Sequence, residues 1–159
     1  VLSDDQAELI ANMARGFSLN ANAKGLIFDG IPEAVVRAEY CGIACQSRID
    51  FYSHEHGVID LKTCDDLTWF EADAKRYGYA YQMAFYRAMV RIATGNTVPV
   101  HFIAIEKKVP FRCGVWRVSD QLLDACQAEN EASIERMKRY IETDIWLTGY
   151  EEIRVFDSF

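Results

Sequence analysis

An α/β fold, one sheet flanked by helices, is the class this chain's sequence predicts. Three observations predict it. Apolar residues recur at helical spacing near the start, in the middle and towards the end. Short apolar runs bounded by turn residues fill the intervals, three in one group and two in another. No internal repeat and no low-complexity linker breaks the order helix, three strands, helix, two strands, helix.

Each element has its own signal. Residues 4–15 read as a helix that Ser3 or Asp4 can cap, with Leu9, Ile10 and Met13 as its apolar stripe. Residues 19–30 are mixed in character and show no clear period. A first strand runs over 34–40, Cys41-Gly42 makes a tight turn, and a second strand runs over 43–52. Ser53-His54-Glu55-His56-Gly57 is a polar turn leading into a third strand over 58–63. Asp65-Asp66 caps a long helix over 68–91, which Gly95-Asn96 ends. The fourth strand covers 98–106, Lys107-Lys108-Val109-Pro110 turns the chain, and the fifth strand covers 111–118. Ser119-Asp120 then caps a last helix that extends to Thr143.

At 159 residues a single domain over 1–159 is expected, large enough to bury a proper core. Half the residues are apolar and 26% are charged, as in ordinary globular proteins. No apolar run reaches the ~18 residues that a membrane helix needs, so no membrane association and a cytoplasmic location are expected. The chain opens at Val1 without Met or a leader, so an upstream N-terminal segment is expected to be missing. The five cysteines form no regular framework and read as reduced thiols. A net charge of −7 argues mildly against nucleic acid. That argument weakens if carboxylates hold divalent cations, or if basic residues gather on one face.

The second and third strands carry the most informative chemistry. With the turn centred on Glu55, residues whose numbers sum to 110 oppose one another, and Asp50 lies across from Asp60. Directly opposed Cβ atoms in such a pair are ~5 Å apart. Strand alternation then puts Arg48, Asp50, Asp60 and Lys62 on one face, and Ile49, Phe51, Ile59 and Leu61 on an apolar face. Two carboxylates this close repel, and a divalent cation compensates them. Hard oxygen donors suit Mg²⁺ or Mn²⁺. Asp-x-Lys after an acidic residue is thus the core of a metal-dependent phosphodiesterase site, with Lys62 beside the water and the phosphate. A surface hairpin with weak, exposed charge pairs is the other reading of the same spacing.

The segments Gly42–Asp50 and Ile59-Asp60-Leu61-Lys62-Thr63 resemble the PD-(D/E)xK nuclease superfamily, and within it the RecE-type exonucleases of prophages and phages. The resemblance continues through Tyr79–Tyr86, which looks like a Gln-xxx-Tyr motif, through Phe102–Lys107 and through Trp146-Leu147-Thr148-Gly149-Tyr150. It implies a PD-(D/E)xK restriction-endonuclease-like core with a central mixed β-sheet flanked by α-helices. It implies Asp50 and Asp60 as metal ligands, the Leu61 backbone carbonyl as a further ligand, and Lys62 as the catalytic lysine. Gln82 and Tyr86, four apart on one helix face, would hold DNA or the lysine. Glu33 is a further candidate ligand, matching an acidic position before the first strand, and Glu8 on the first helix is another. Arg48 is a candidate DNA contact. The superfamily's Pro before the first Asp is Ile49 here, and a further Glu or His ligand upstream of the first strand has no clear match.

The function so implied is a Mg²⁺-dependent exodeoxyribonuclease acting on double-stranded DNA ends, in phage- or prophage-type recombination or DNA repair. A single-strand annealing protein is the implied partner and a homo-oligomer the implied assembly. The alternatives are an endonuclease of restriction or junction-resolving type, and a catalytically weak DNA-binding module that kept the fold. Other patterns carry less. His54-Glu55-His56 lacks a third His or Cys in register for zinc. Glu106-Lys107-Lys108 reads as a solvated charge run, although the resemblance offers both lysines as phosphate contacts. No glycine-rich phosphate loop is present.

Overall fold

Residues 2–157 are described by the computed structural model, so the predicted domain limits, 1 and 159, lie outside the described residues. Helix α1 (Asp4–Leu19) starts in a capping box, in which Ser3 and Gln6 satisfy each other's backbone N–H groups through their side chains. Asn20 ends α1 and caps a short α2 (Ala21–Leu26) within the stretch whose period was unclear, and its side chain also donates to the Cys113 carbonyl at 2.7 Å.

Five strands follow: β1 (Ile31–Tyr40), β2 (Ile43–Ser53), β3 (Gly57–Cys64), β4 (Val100–Glu106) and β5 (Cys113–Arg117). They form one mixed sheet in the order β1-β2-β3-β4-β5. Every neighbouring pair is antiparallel except β3 and β4, which are parallel. A parallel pair needs a helical crossover, supplied by a 3₁₀ turn (Leu67–Trp69), α3 (Phe70–Arg76) and α4 (Tyr79–Thr94). The single long helix predicted over 68–91 is therefore broken. Gly78 takes φ 68°, a left-handed conformation that ends α3 and turns the chain into α4. Asp66, not Asp65, caps the first turn by accepting from the Thr68 N–H. Helix α5 (Asp120–Thr143) begins at its predicted cap, Ser119.

Helices cover both faces of the sheet. On one side α4 and α5 close a core that includes Ile49, Val58, Met83, Val100, Phe102 and Leu123. On the other, α1 and α2 close a smaller core with Ala23, Leu26, Ile59, Ile103 and Ile105. Gly57 is what lets the start of β3 pack against the backbone at Pro99, just before β4. Its φ is 72°, and a Cβ there would lie 2.1 Å from the Pro99 carbonyl oxygen, so any side chain is excluded.

The β2–β3 register is the expected one, since Phe51, Tyr52 and Ser53 oppose Ile59, Val58 and Gly57. The expected faces need correcting. Ile49 packs in the α4 core, whereas Phe51 and Ile59 pack on the α1–α2 side, and Leu61 is exposed. Alternation fails because β2 loses its ladder at Asp50. The β1–β2 pairs run Pro32–Phe51 and then Ala34–Ile49, skipping Glu33 and Asp50, and Glu33 has a left-handed φ of 53°. An unpaired position of this kind twists a strand and re-aims its side chains.

Candidate active site

Strand β3 brings Asp60 and Lys62 to the α4 face, because they pair with the core residues Phe102 and Ala104 of β4. Asp60 is 1% exposed. Burial pushes its carboxyl pKa up, Lys62 opposes that shift, and the charge of Asp50 adds to it. The Lys62 ammonium lies 2.6 Å from Asp60 Oδ2. The contact is a buried ion pair, and among the described residues Lys62 is the one side chain that meets Oδ2.

Helix α4 holds the lysine from above. Lys62 Nζ donates to Gln82 Oε1 at 3.1 Å, and Gln82 Nε2 donates to the Tyr86 hydroxyl at 2.9 Å. The two bonds fix the amide, with its oxygen towards the ammonium and its NH₂ towards the phenol. Nζ also sits 4.5 Å from the centre of the Tyr79 ring, an attractive cation–π distance. Gln82 and Tyr86, four apart, share a helix face as expected, and Tyr79, three before Gln82, lies on it too. Tyr79 opens the segment that resembles the Gln-xxx-Tyr motif, but no role was expected of it. Its spacing from Gln82 was the signal that could have singled it out.

Asp50 meets this group through the backbone. Its Oδ2 accepts from the Leu61 N–H at 2.9 Å, replacing the ladder bond that β2 lacks there, and Oδ1 is left for another partner. The carboxylates of Asp50 and Asp60 thus flank residue 61, one bound to its N–H and the other next to it in sequence. Hard oxygen donors on two carboxylates, a buried Asp60 whose Oδ2 has only the Lys62 ammonium beside it, and the repulsion from Asp50 fit a small divalent cation. Asp50, Asp60 and the Leu61 carbonyl are the groups that could hold one. Among the described residues, no group of three or more His, Cys, Asp or Glu side chains converges as a metal cage.

Glu33 and Arg48 stand apart from these residues. Arg48 Nε pairs with Glu33 Oε2 at 3.1 Å, and both side chains are exposed. Ser47 and Ile49 are buried on either side of Arg48, so Arg48 points away from the α4 face that carries Lys62, contrary to the expected grouping. Glu8 lies on the exposed surface of α1.

The run Glu106-Lys107-Lys108 is not simply solvated. Glu106 is buried at the end of β4, and both its oxygens accept from the Arg112 guanidinium, at 2.6 and 2.9 Å. It also takes the backbone N–H groups of Leu67, at 3.0 Å, and Arg112, at 3.1 Å. These hydrogen bonds hold its carboxyl at a pKa of about 2. Lys107 and Lys108 both pair with Asp65, at 3.1 and 3.3 Å.

A family model described as a PDDEXK-like domain of unknown function (DUF3799) matches residues 2–158. No curated protein gives a significant match. Among solved structures, a provisionally named exonuclease from Eubacterium rectale superposes with a TM-score of 0.76 at 17% sequence identity. That match covers 98% of this chain and 63% of the other, so the chain spans less than two thirds of that structure's length, and the likeness is one of fold. An alkaline exonuclease from Laribacter hongkongensis matches at 20% identity over 84% of this chain and 75% of the other, with a TM-score of 0.35, too low to bear on the fold.

Proposed function

The chain belongs to the PDDEXK-like domain family, and we propose that it is a Mg²⁺-dependent exodeoxyribonuclease acting on double-stranded DNA ends. The observation that carries this reading is the connected set Asp60–Lys62–Gln82–Tyr86 with Asp50 beside it. It occurs at the Asp-x-Lys position of a chain whose whole described length fits that family.

In this reading Asp50, Asp60 and the Leu61 carbonyl hold Mg²⁺ or Mn²⁺. Such an ion supplies charge that polarises a phosphoryl oxygen and acidifies a water. Lys62 supplies a fixed positive charge beside the phosphate and orients the attacking water. Water attacks the scissile phosphorus in line, and the bond to the leaving oxygen breaks. Gln82 acts on Lys62 first, since its oxygen already holds the ammonium, Tyr86 braces the Gln82 amide, and both contact DNA only from that position. Arg48 serves as a DNA-backbone contact on the opposite side of β2. Glu33 becomes a ligand only by leaving its ion pair with Arg48. The biological setting that follows is recombination or repair at duplex ends in the cytoplasm, with a single-strand annealing protein downstream and a homo-oligomeric enzyme.

A second reading, a DNA-binding module of weak activity, draws on one observation. Only two acidic side chains meet at the site among the described residues. One experiment separates the readings. End-labelled linear duplex is incubated with Mg²⁺ beside a covalently closed circle, using the wild type and Asp60→Ala. Loss of label from linear DNA alone, abolished by the substitution, establishes the exonuclease. Nicking of the circle assigns an endonuclease. Intact DNA in every lane, with no calorimetric heat of Mg²⁺ binding that depends on Asp60, leaves the binding module.

A further inference from the structure

Tyr77 lies bare at the corner between α3 and α4, 60% exposed. It ends α3 next to the left-handed Gly78, and its side chain belongs to none of the three apolar cores. Its ring nevertheless has a fixed neighbour. It stacks on Tyr79, with ring centres 5.8 Å apart and planes 26° from parallel. Tyr79 is the ring that holds Lys62, whose Nζ lies 4.5 Å from its centre. A single exposed tyrosine is ordinary. One that extends a stack outward from the Asp-x-Lys site is a surface with a use.

The same corner is basic. Lys75 and Arg76 close α3, both are exposed, and neither forms an ion pair among the described residues. The Arg76 guanidinium lies over the Tyr77 ring, 5.7 Å from its centre. Of the two acids on α3, Glu71 is engaged by the Trp116 indole N–H at 3.0 Å. The other, Asp73, stands three residues before Arg76 and makes no ion pair with it. On a chain of net charge −7, two uncommitted cations beside an exposed ring run against the average.

A ring flanked by Lys and Arg is the chemistry that holds an unpaired nucleobase. The base stacks on the ring, the cations meet the phosphates, and every base offers a π-face, so the contact is blind to sequence. A base inside a duplex cannot offer that face, because its neighbours cover it. The two cations favour a polyanion over an apolar peptide. Position narrows the occupant further. Lys62, Tyr79, Tyr77 and Arg76 follow one another contact by contact, away from the place where Lys62 would meet the scissile phosphate. What reaches Tyr77 is thus a nucleotide close to the bond being cut.

We propose that Tyr77, backed by Tyr79 and flanked by Lys75 and Arg76, is a stacking platform for an unpaired base one or two nucleotides from the scissile phosphate. The duplex end is then held frayed, with its tip single-stranded at the site. The proposal rests on the nuclease reading for the place of the phosphate, but the stacking itself needs no cleavage. Tyr77 binds the strand and takes no part in the attack on phosphorus.

Fluorescence anisotropy on the full chain in Ca²⁺ tests it. The probe is a labelled duplex with a two-nucleotide overhang, 5′ or 3′, whose unpaired positions carry either bases or abasic sugars. Wild type is compared with Tyr77→Ala and Tyr77→Phe; Tyr77 is exposed and outside the cores, so both variants keep the fold. Tyr77→Ala is expected to weaken binding of the base-bearing end by roughly five- to a hundredfold, the scale of one lost base–aromatic stack. Tyr77→Phe keeps the ring and is expected to bind as wild type does. On the abasic end wild type should weaken by a similar factor and Tyr77→Ala should cost nothing more, because ring and base form one contact. Binding untouched by Tyr77→Ala, the same loss on both ends, a Tyr77→Phe as weak as Tyr77→Ala, or a wild type that binds neither end would each overturn the platform. The nuclease reading is judged apart, by Asp60-dependent cleavage in Mg²⁺. Base-dependent stacking on Tyr77 without cleavage would uphold the platform and sink the nuclease; cleavage without that stacking would do the reverse.

Discussion

Lys62 is held on three sides: Asp60 at 2.6 Å, the Gln82 amide at 3.1 Å and the face of Tyr79 at 4.5 Å. The pattern predicts a graded series of variants. Lys62→Met is expected to lower the rate of duplex-end cleavage by about 10²–10³-fold, the scale of losing one fixed electrostatic group. Gln82→Ala removes one of three restraints and is expected to cost less, and Tyr86→Phe, one bond further out, less again. Single-turnover rates on linear duplex at saturating Mg²⁺ check the order; equal effects would sink the positioning role of α4. Glu106 offers a separate test at this scale. Its carboxyl pKa falls from an ordinary 4.5 to about 2 in the fold, so its contribution is complete above the ordinary value. That contribution fades as pH drops from about 4.5 towards 2. Glu106→Gln leaves Arg112 and two backbone donors poorly matched and is expected to destabilise by ~2–3 kcal/mol near neutrality. The gap between the two denaturation midpoints should narrow in acid, and a gap independent of pH would count against the assignment.

At the scale of elements, α4 is the part that aligns the site, and two devices set its position. The first is the break at Gly78. Gly78→Ala forces a Cβ into a left-handed conformation and is expected to destabilise by ~1–2 kcal/mol, read from chemical denaturation. The second joins α4 to α5. The buried Arg87 donates to Asp120 at 3.3 Å and to Asp124 at 2.5 Å. Removing both acids strands a buried guanidinium, expected to cost ~3–5 kcal/mol, whereas Arg87→Met leaves two exposed carboxylates to water and should cost clearly less. Comparing the two variants by urea unfolding checks the asymmetry. The break at Gly78 was hidden in the sequence because the apolar period runs on through it. A single glycine within a helical pattern can be tolerated, so its presence alone does not mark a helix end.

Across the whole molecule the charge of −7 works against DNA, and a divalent cation between Asp50 and Asp60 relieves the repulsion locally, where a phosphate would sit. Fluorescence anisotropy with labelled duplex is therefore expected to show binding in Ca²⁺, a cation that occupies such sites with little turnover, and loss of binding in chelator. Equal affinity in both would mean that DNA is held without the carboxylates. Two cores, one on each face of the sheet, keep β3 central, and its central place keeps Asp60 dry.

Local chemistry was legible in the residues themselves. The strand count, the β2–β3 register and the caps at Ser3 and Ser119 depend on neighbours a few residues apart, where period and turn chemistry act, whereas the meeting of Lys62 with Gln82, twenty residues on, was offered only by the family resemblance. What the sequence could not show depends on contacts between distant segments. Arg112 and Leu67 converge on Glu106 and turn a charged strand end into a buried node. The lost ladder at Asp50 sends Ile49 and Phe51 to opposite cores, and Arg48 away from Lys62. Spacing along a chain sets which side chains share a local face, but only the packed sheet decides which of those faces are buried and what meets them there.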